Sequence, residues 1–174
     1  MRAPVLVVVT GPPAAGKTTV ARELARRLCV PLVAKDTIKE ALFDALGTGD
    51  LAWSARLGAA TFHVLGALAE ESVGAGASLV LEGNFVRGGE LEARLAALPA
   101  RFVQVHCNAP LEVLLEGYER RDRHPGHIDA ERLEALRDSV ETSRHEPLDL
   151  PGERIRIETT QPVDYEALVA AVGA

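Results

Sequence analysis

The chain has 174 residues, 47% of them hydrophobic, and a formal net charge of −6 at pH 7. This length suits a single domain over residues 1–174 with a sizeable core, and the acidic balance disfavours nucleic acid or an anionic membrane as the main partner. Cys29 and Cys107 form no C-x-x-C pair. We therefore expect no disulfide framework and a cytoplasmic location. We also expect a monomer or a homodimer.

Short apolar runs alternate with longer segments of helical periodicity along the whole chain. The predicted strands are residues 4–9, 31–34, 78–81, 101–106 and 154–157. The predicted helices are residues 17–28, 36–46, 51–74, 89–98, 110–122, 130–143 and 163–172. The first and third strands are continuously apolar, as strands covered on both faces are, and the fifth alternates as an edge strand does. This order predicts an α/β fold with a parallel sheet and helices on both faces. The first apolar run is too short to span a membrane and has no signal-peptide cleavage pattern.

Residues 11–18 read Gly-Pro-Pro-Ala-Ala-Gly-Lys-Thr and fit G-x-x-x-x-G-K-[ST] between a predicted strand and a predicted helix. Such a loop wraps backbone N–H groups around phosphate oxygens, and the following helix adds its positive dipole end. Lys17 would reach the β- and γ-phosphates, and Thr18 would bind Mg²⁺. We expect Lys17 to be exposed to the nucleotide and to have no buried partner in its absence. The nucleotide-binding residues predicted here are Gly11, Ala14, Ala15, Gly16, Lys17, Thr18 and Thr19.

Asp36 follows the second strand, where ligands bind in open α/β sheets. The guanine-reading N-K-x-D motif of GTPases is missing after the fourth strand, which favours a small phosphotransferase. Such an enzyme needs a group that accepts the acceptor's hydroxyl proton, and we favour Asp36 for it over a role as a helix N-cap alone. Lys35 and Lys39 read as surface charge.

The segment after the third strand offers a second carboxylate, Glu82. It is placed to contact Mg²⁺ or the acceptor, so either Asp36 or Glu82 can be the base. Asn84 and Arg87 are candidates for binding the acceptor's polar groups, with a plain strand-ending turn as the alternative.

The stretch 119–128 reads ERRDRHPGHI and predicts a lid that closes over phosphates. Arg120 and Arg123 are the candidates for stabilising transition-state charge, and the alternative is a solvated, arginine-rich helix end. Gly126 and the charges predict mobility without nucleotide. His124 and His127 would shape the lid or meet substrate. In the long segment 51–74, buried packing is the expected role of Trp53, Phe62 and His63.

With these motifs, the chain resembles the small P-loop kinase-like family often labelled AAA-domain proteins, near shikimate and gluconate kinases, chloramphenicol phosphotransferase and the zeta-toxin kinases. The resemblance spans nearly the whole chain and implies a sheet of order 2-3-1-4-5. By similarity, Asp36 falls where such enzymes place the base or an aspartate that contacts the acceptor, and Thr160 and Pro162 fall where relatives wrap the adenine. Relatives often carry an arginine where this chain has Gly117, which moves phosphate contacts to Arg120 or Arg121.

The resemblance implies an ATP- and Mg²⁺-dependent kinase of a small hydroxyl compound. Lys17, Asp36, Arg120 and Arg123 are then its catalytic residues. The alternatives are an antibiotic-inactivating phosphotransferase and a nucleotide-binding regulatory ATPase without a small-molecule acceptor. A deep pocket beside Asp36 favours the kinase, and a flat surface there favours the regulator.

Overall fold

A computed structural model describes residues 3–121, 123–127, 133–141 and 145–173. Five parallel strands form one sheet in the spatial order β2-β3-β1-β4-β5, which confirms the predicted fold class. The strands are β1 (Val5–Thr10), β2 (Leu32–Ala34), β3 (Leu79–Glu82), β4 (Arg101–Asn108) and β5 (Glu153–Glu158). Because all five run the same way, their carboxyl ends meet along one edge of the sheet.

Seven helices connect and cover the strands of the described chain. They are α1 (Lys17–Leu28), α2 (Lys35–Leu46), α3 (Leu51–Gly74), α4 (Glu90–Ala96), α5 (Leu111–Arg120), α6 (Leu133–Glu141) and α7 (Tyr165–Gly173). A short 3₁₀ turn, Pro125–His127, lies between α5 and α6. The predicted lid, 119–128, and the predicted helix 130–143 both include residues outside the described ranges.

The sheet separates two apolar clusters, one on each face. On one face, Val7, Val9 and Val105 pack with α1 and α7. On the other, Leu6 and Val8 pack with α3, α4 and the segment 148–150. β1 and β3 are buried along almost their whole length, as their apolar runs predict, whereas edge strand β5 is half-exposed. Full burial of each large aliphatic side chain stabilises the fold by about 1.5–3 kcal/mol.

No helix of the described residues has both the length and the apolar character needed to cross a bilayer.

The chain turns sharply after β1 at Gly11, in a backbone conformation that excludes other residues. Gly11 has φ +138°, and a Cβ atom there would lie 2.1 Å from the backbone oxygen of Cys107 in β4. Gly76, which follows α3, also has a positive φ of +75°, but its Cβ would meet nothing within 4 Å. The two glycines therefore separate the cost of a steric clash from the cost of the backbone conformation.

We predict that Gly11→Ala destabilises the protein by about 3 kcal/mol or more, because the strand carbonyl cannot move away from the new methyl group. Gly76→Ala, the matched control, is expected to cost about 1 kcal/mol for the left-handed conformation alone. Urea unfolding of the two variants measures both costs. Equal losses of stability would contradict this account of Gly11.

Candidate active site

The loop between β1 and α1 forms a ring of backbone amides at the edge of the sheet. Ala14 has φ 65° and Gly16 has φ 70°, so the chain alternates handedness as it enters α1. Successive N–H groups in such a loop point into one concavity, which favours an anion. A Cβ on Gly16 would lie 3.5 Å from Thr159, so the turn after β5 borders the same loop. This conformation fits the phosphate-binding loop that the sequence predicts.

The side chain of Lys17 is buried beneath this loop. Only 8% of Lys17 is exposed, and its Nζ donates to the backbone oxygen of Pro12 at 2.7 Å. The expectation that Lys17 has no buried partner is therefore wrong, because a loop carbonyl accepts from the ammonium group. Burial lowers the pKa of Lys17, and the neighbouring charge of Glu82 opposes that shift.

Thr18 and Glu82 come together from α1 and β3. The hydroxyl of Thr18 donates to Oε2 of Glu82 at 3.2 Å, and Glu82 is only 4% exposed. Burial raises the pKa of Glu82, while the Lys17 ammonium favours its ionised form. Hydroxyl and carboxylate oxygens are the ligands that Mg²⁺ prefers, so this pair fits the predicted metal site.

Asp36 lies in the first turn of α2 and forms an ion pair with Arg123. Nη2 of Arg123 donates to Oδ2 of Asp36 at 2.6 Å, and Nζ of Lys35 lies 3.8 Å from Oδ1. Burial raises the pKa of Asp36, but Lys35, Arg123 and other nearby positive groups outweigh it, and the pKa falls below its ordinary value. The alternative that Asp36 is the N-cap is wrong, because Ala34 occupies that position.

A single cleft of about 820 Å³ joins the loop to Asp36. Its walls come from α1, α2, α5, α6 and the loop after β3. The predicted residues that line it are Ala14, Gly16, Lys17, Thr18, Thr19, Asp36, Glu82, Asn84 and Arg123. The structure thus brings most of the predicted nucleotide and acceptor residues together.

The described part of the predicted lid is packed against one face of α2. His124 stacks on the ring of Phe43 with centroids 5.3 Å apart, and its Nε2 lies 3.2 Å from Asp44. A Cβ on Gly126 would lie 2.6 Å from the Phe43 ring, so Gly126 permits close packing where the sequence predicted mobility. Asp122 and Ile128, within the same predicted lid, lie outside the described residues.

His127 is buried and adds two contacts to the packing of the segment 123–127 against α2. Its Nε2 lies 2.8 Å from Nη2 of Arg123 and 3.0 Å from Oε1 of Glu40, the next turn of α2 after Asp36. Burial, followed by the charge of Arg123, lowers the pKa of His127 to about 4. The contact with Arg123 needs a lone pair on Nε2 and the contact with Glu40 needs a proton there, so one form of the ring satisfies only one of the two contacts.

Two adjacent arginines at the end of α5 point in different directions. Arg120 has 77% of its side chain exposed and pairs with Glu116 one turn earlier, so the structure does not bring this predicted catalytic residue to the cleft. Arg121 lines the cleft and lies over the ring of Tyr118, 3.8 Å from its centroid. Gly117 allows α5 to approach the loop, since its Cβ would be 3.3 Å from that of Ala14.

Five other predicted ligand residues do not line the cleft, and two of them, Gly11 and Ala15, are buried within the loop itself. Nε of Arg87 donates to the backbone oxygen of Pro147 at 3.1 Å and joins two loops. Thr160 and Pro162 are exposed in the turn after β5, where the Thr160 hydroxyl donates to Glu158.

The three side chains assigned to packing in α3 behave differently. Phe62 packs beside Phe85, and the indole N–H of Trp53 donates to the backbone oxygen of Gly47. His63 is exposed near Glu90, which corrects the expected buried role.

The sequence interpretation missed several residues that line the cleft. Lys39 is only 2% exposed and Nζ donates to the hydroxyl of Ser54 at 3.0 Å, so the assignment of Lys35 and Lys39 to surface charge is wrong. The sequence does contain a signal for this position: Lys35 is next to Asp36, and Lys39, four residues later, lies on the same face of the helix as Lys35. Leu51, Ser139 and His145 also line the cleft, and no motif marks them.

Comparison with known proteins agrees with this geometry. A family model described as an AAA domain matches residues 6–143. A cytidylate kinase of Pyrobaculum neutrophilum is 34% identical over 151 residues, which cover 85% of this chain and 76% of the relative. The crystal structure of a candidate kinase from Chloroflexus aurantiacus is 35% identical and matches with a TM-score of 0.82 over 97% of this chain and 96% of its own. Shikimate kinase from Aquifex aeolicus shares the fold at 20% identity, with a TM-score of 0.51 over 95% and 92% of the two chains.

The two neighbouring arginines provide a matched test of the cleft. We predict that Arg121→Gln weakens binding of ATP with Mg²⁺ about 10-fold, the usual effect of losing a charged hydrogen bond. Arg120→Gln is expected to leave binding unchanged because Arg120 faces solvent. Calorimetric titration of both variants measures the difference, and a larger effect at Arg120 would contradict the assignment.

His127 should make stability depend on pH between about 6.5 and 4. Its pKa is lower in the folded than in the unfolded chain, so the unfolded chain binds the proton first as the pH falls. The free energy of unfolding should therefore fall with pH in this window, by at most about 1.4 kcal/mol per pH unit. His127→Gln should remove that contribution while Asp36 and Glu82 still titrate in both proteins. Urea unfolding from pH 7 to pH 4 gives the comparison, and parallel curves for the two proteins would refute the role of His127.

Proposed function

The chain belongs to the AAA-domain family that its residues 6–143 match, and from that premise we propose that it transfers the γ-phosphate of ATP, with Mg²⁺, to a hydroxyl group of a small molecule. The membership confirms the family resemblance that the motifs predict, and its relatives include a kinase. The observation that carries the proposal is the single cleft that holds Lys17, Thr18 and Glu82 on one side and Asp36 on the other.

The loop side of the cleft suits the nucleotide. Its backbone amides and the amino end of α1 would hold the phosphates, and Lys17 would exchange the Pro12 carbonyl for a phosphate oxygen. Thr18 and Glu82 would hold Mg²⁺, which when bound neutralises charge on the β- and γ-phosphates. Arg121 extends the positive wall beside Tyr118.

The acceptor side offers a base that stays ionised. The lowered pKa of Asp36 keeps its carboxylate charged at neutral pH, whereas Glu82 has a raised pKa and accepts from Thr18. We therefore assign the base to Asp36 and the metal contact to Glu82. Asp36 would accept the hydroxyl proton as the acceptor oxygen bonds to phosphorus and the bond to ADP breaks. Arg123 would hold the carboxylate in position through Oδ2.

The cleft beside Asp36 favours a kinase over a regulatory ATPase. A regulator needs no space beside Asp36, yet Asp36 lines a cleft of about 820 Å³ together with Leu51, Ser139 and His145. The name of the Pyrobaculum relative adds cytidylate to the acceptors that merit testing.

The experiment is incubation with ATP, Mg²⁺ and a panel of metabolites and antibiotics, read by a mass gain of one phosphate. Phosphorylation of a compound supports the kinase, and an antibiotic product favours the resistance enzyme. ATP binding and hydrolysis without any product would favour the regulator.

Asp36→Asn tests the base directly. We predict that it lowers the rate of transfer about 10²–10⁴-fold, because Asn keeps the shape but cannot take the proton. Binding of ATP should persist, since the loop is untouched. The melting temperature should change little because Asp36 is 42% exposed and its ion pair with Arg123 is partly screened.

The matched variant is Glu82→Gln, which should instead weaken the binding of Mg²⁺, so that the rate saturates at a higher Mg²⁺ concentration. If Asp36→Asn keeps its turnover while Glu82→Gln loses the pH dependence of the rate, the two roles are reversed.

A further inference from the structure

Three buried polar atoms beside the start of the phosphate-binding loop have no hydrogen-bond partner among the described residues. They are Oγ1 of Thr10, Oε1 of Gln104 and Nδ1 of His106. Thr10 and Gln104 are fully buried, and only 4% of His106 is exposed. Because an unsatisfied polar group in the interior destabilises a fold, native proteins contain few of them, and three in one region require an explanation.

The three side chains lie on the same face of the sheet. In the parallel pairing of β1 with β4, Thr10 is opposite His106 and Val8 is opposite Gln104. Side chains two residues apart on a strand share a face, so all three lie on the face where Val8 packs. Since adjacent strands are about 4.8 Å apart, Thr10 and His106 are direct neighbours, and Gln104 is the next residue of β4 on that face. We call these three residues the Thr10 cluster.

The residue on the other side of Thr10 adds no side chain to this row. Gly83 follows Glu82, which is opposite Val9 in the register of β1 and β3. A Cβ on Gly83 would lie 3.0 Å from the ring of Phe85, which is buried in the apolar cluster of this face. An apolar ring therefore borders the Thr10 cluster, whose three atoms are closed to bulk solvent.

The hydrogen-bonding capacity of the three groups limits what can lie between them. Nε2 of Gln104 donates to the backbone oxygen of Leu148 at 3.1 Å, so Oε1 still requires a donor. Burial, followed by the charge of Arg156, lowers the pKa of His106, and a neutral ring has one donor and one acceptor. The hydroxyl of Thr10 can donate and accept. A bound molecule must therefore donate at least once and offer further hydrogen-bonding groups.

A small neutral molecule satisfies these requirements better than an ion. An anion cannot donate to Oε1 of Gln104. A cation would be repelled by Arg156 and Lys17, whose charges both lower the pKa of His106. The charge of Glu146 acts in the other direction, but Glu146 is paired with Arg156. Water has two hydrogens and two lone pairs, and buried waters typically make about three hydrogen bonds to groups that otherwise lack partners.

We infer that Thr10, Gln104 and His106 enclose one ordered water molecule between β1 and β4. The water donates to Oε1 of Gln104, and its second hydrogen and its lone pairs serve the Thr10 hydroxyl and Nδ1 of His106. Thr10 directly precedes Gly11, whose backbone passes over the Cys107 carbonyl. The water therefore links the two strands where the phosphate-binding loop begins. This inference goes beyond the proposed function and does not depend on the reaction.

The first test locates the water. A crystal structure of the substrate-free protein, at a resolution that shows ordered solvent, should contain one solvent peak about 2.7–3.2 Å from all three atoms. Direct hydrogen bonds among the three side chains, with no solvent peak between them, would overturn the inference.

The second test measures whether Thr10 and Gln104 share a partner. Thr10→Val replaces the hydroxyl with a methyl group, and Gln104→Met removes the amide but keeps a side chain of similar length. Each variant should lower the equilibrium constant for folding about 10-fold in urea unfolding. The double variant should lose about 5-fold less than the product of the two single losses, because the first change already removes part of the shared hydrogen bonding.

The matched control combines Thr10→Val with Ser78→Ala. Ser78 accepts from the backbone N–H of Val5 at the amino ends of the strands, away from the Thr10 cluster. This pair should be additive. Additive losses in both pairs, or equal coupling in both pairs, would overturn the shared water.

The third test separates the hydroxyl of Thr10 from its methyl group. Thr10→Ser keeps the hydroxyl, so a crystal structure of this variant should retain the solvent peak. In Thr10→Val the peak should weaken or move, because one of its hydrogen bonds is lost. A peak that is unchanged in Thr10→Val, or lost in a folded Thr10→Ser protein, would overturn the assignment of Thr10 to the site.

Discussion

The contact between Gly11 and the Cys107 carbonyl determines where the rest of the site can lie. β1 is the central strand, and its chain can leave the sheet only by passing directly over the end of β4. That path curls the backbone through Ala14 and Gly16 and aims the start of α1 at the cleft. The burial of Lys17 and the approach of Thr18 to Glu82 both follow from it. A side chain at position 11 would displace all of these groups together.

Helix α2 contributes side chains to two surfaces, the cleft and the contact with the segment 123–127. Asp36, Glu40, Phe43 and Asp44 face the segment 123–127, which docks through an ion pair, a histidine and ring stacking. Lys35 and Lys39 face the cleft. Asp36 therefore lies between a cationic wall and the docked arginine, and this explains why its carboxylate stays ionised despite partial burial. A movement of the docked segment would change the charge around Asp36 as well as access to the cleft.

The buried ionisable groups of the cleft stabilise one another's charged forms. Burial disfavours the charged forms of both Lys17 and Glu82, and each favours the charged form of the other. In the proposed reaction, a phosphate oxygen of the nucleotide would accept from Lys17 in place of the Pro12 carbonyl, and Mg²⁺ would contact Glu82. In the free protein, the Pro12 carbonyl holds Lys17 and the Thr18 hydroxyl holds Glu82.

The sequence by itself determined the fold class, the phosphate-binding loop and the family, because these depend on local patterns: apolar runs, two glycines and a lysine at set spacing, and acidic residues just after strands. Strand ends converge in any parallel sheet, so Asp36 and Glu82 could be assigned to one site without coordinates. Only the tertiary structure decided which neighbouring side chains enter the cleft. Arg120 and Arg121 differ by one position, about 100° around a helix end, and the packing of α5 on the loop at Gly117 selects Arg121. The sequence suggested that Lys39 is surface charge because the contact with Ser54 comes from α3, which is adjacent in space. Arg87 does not reach the cleft because it donates to the backbone oxygen of Pro147, 60 residues later in the chain.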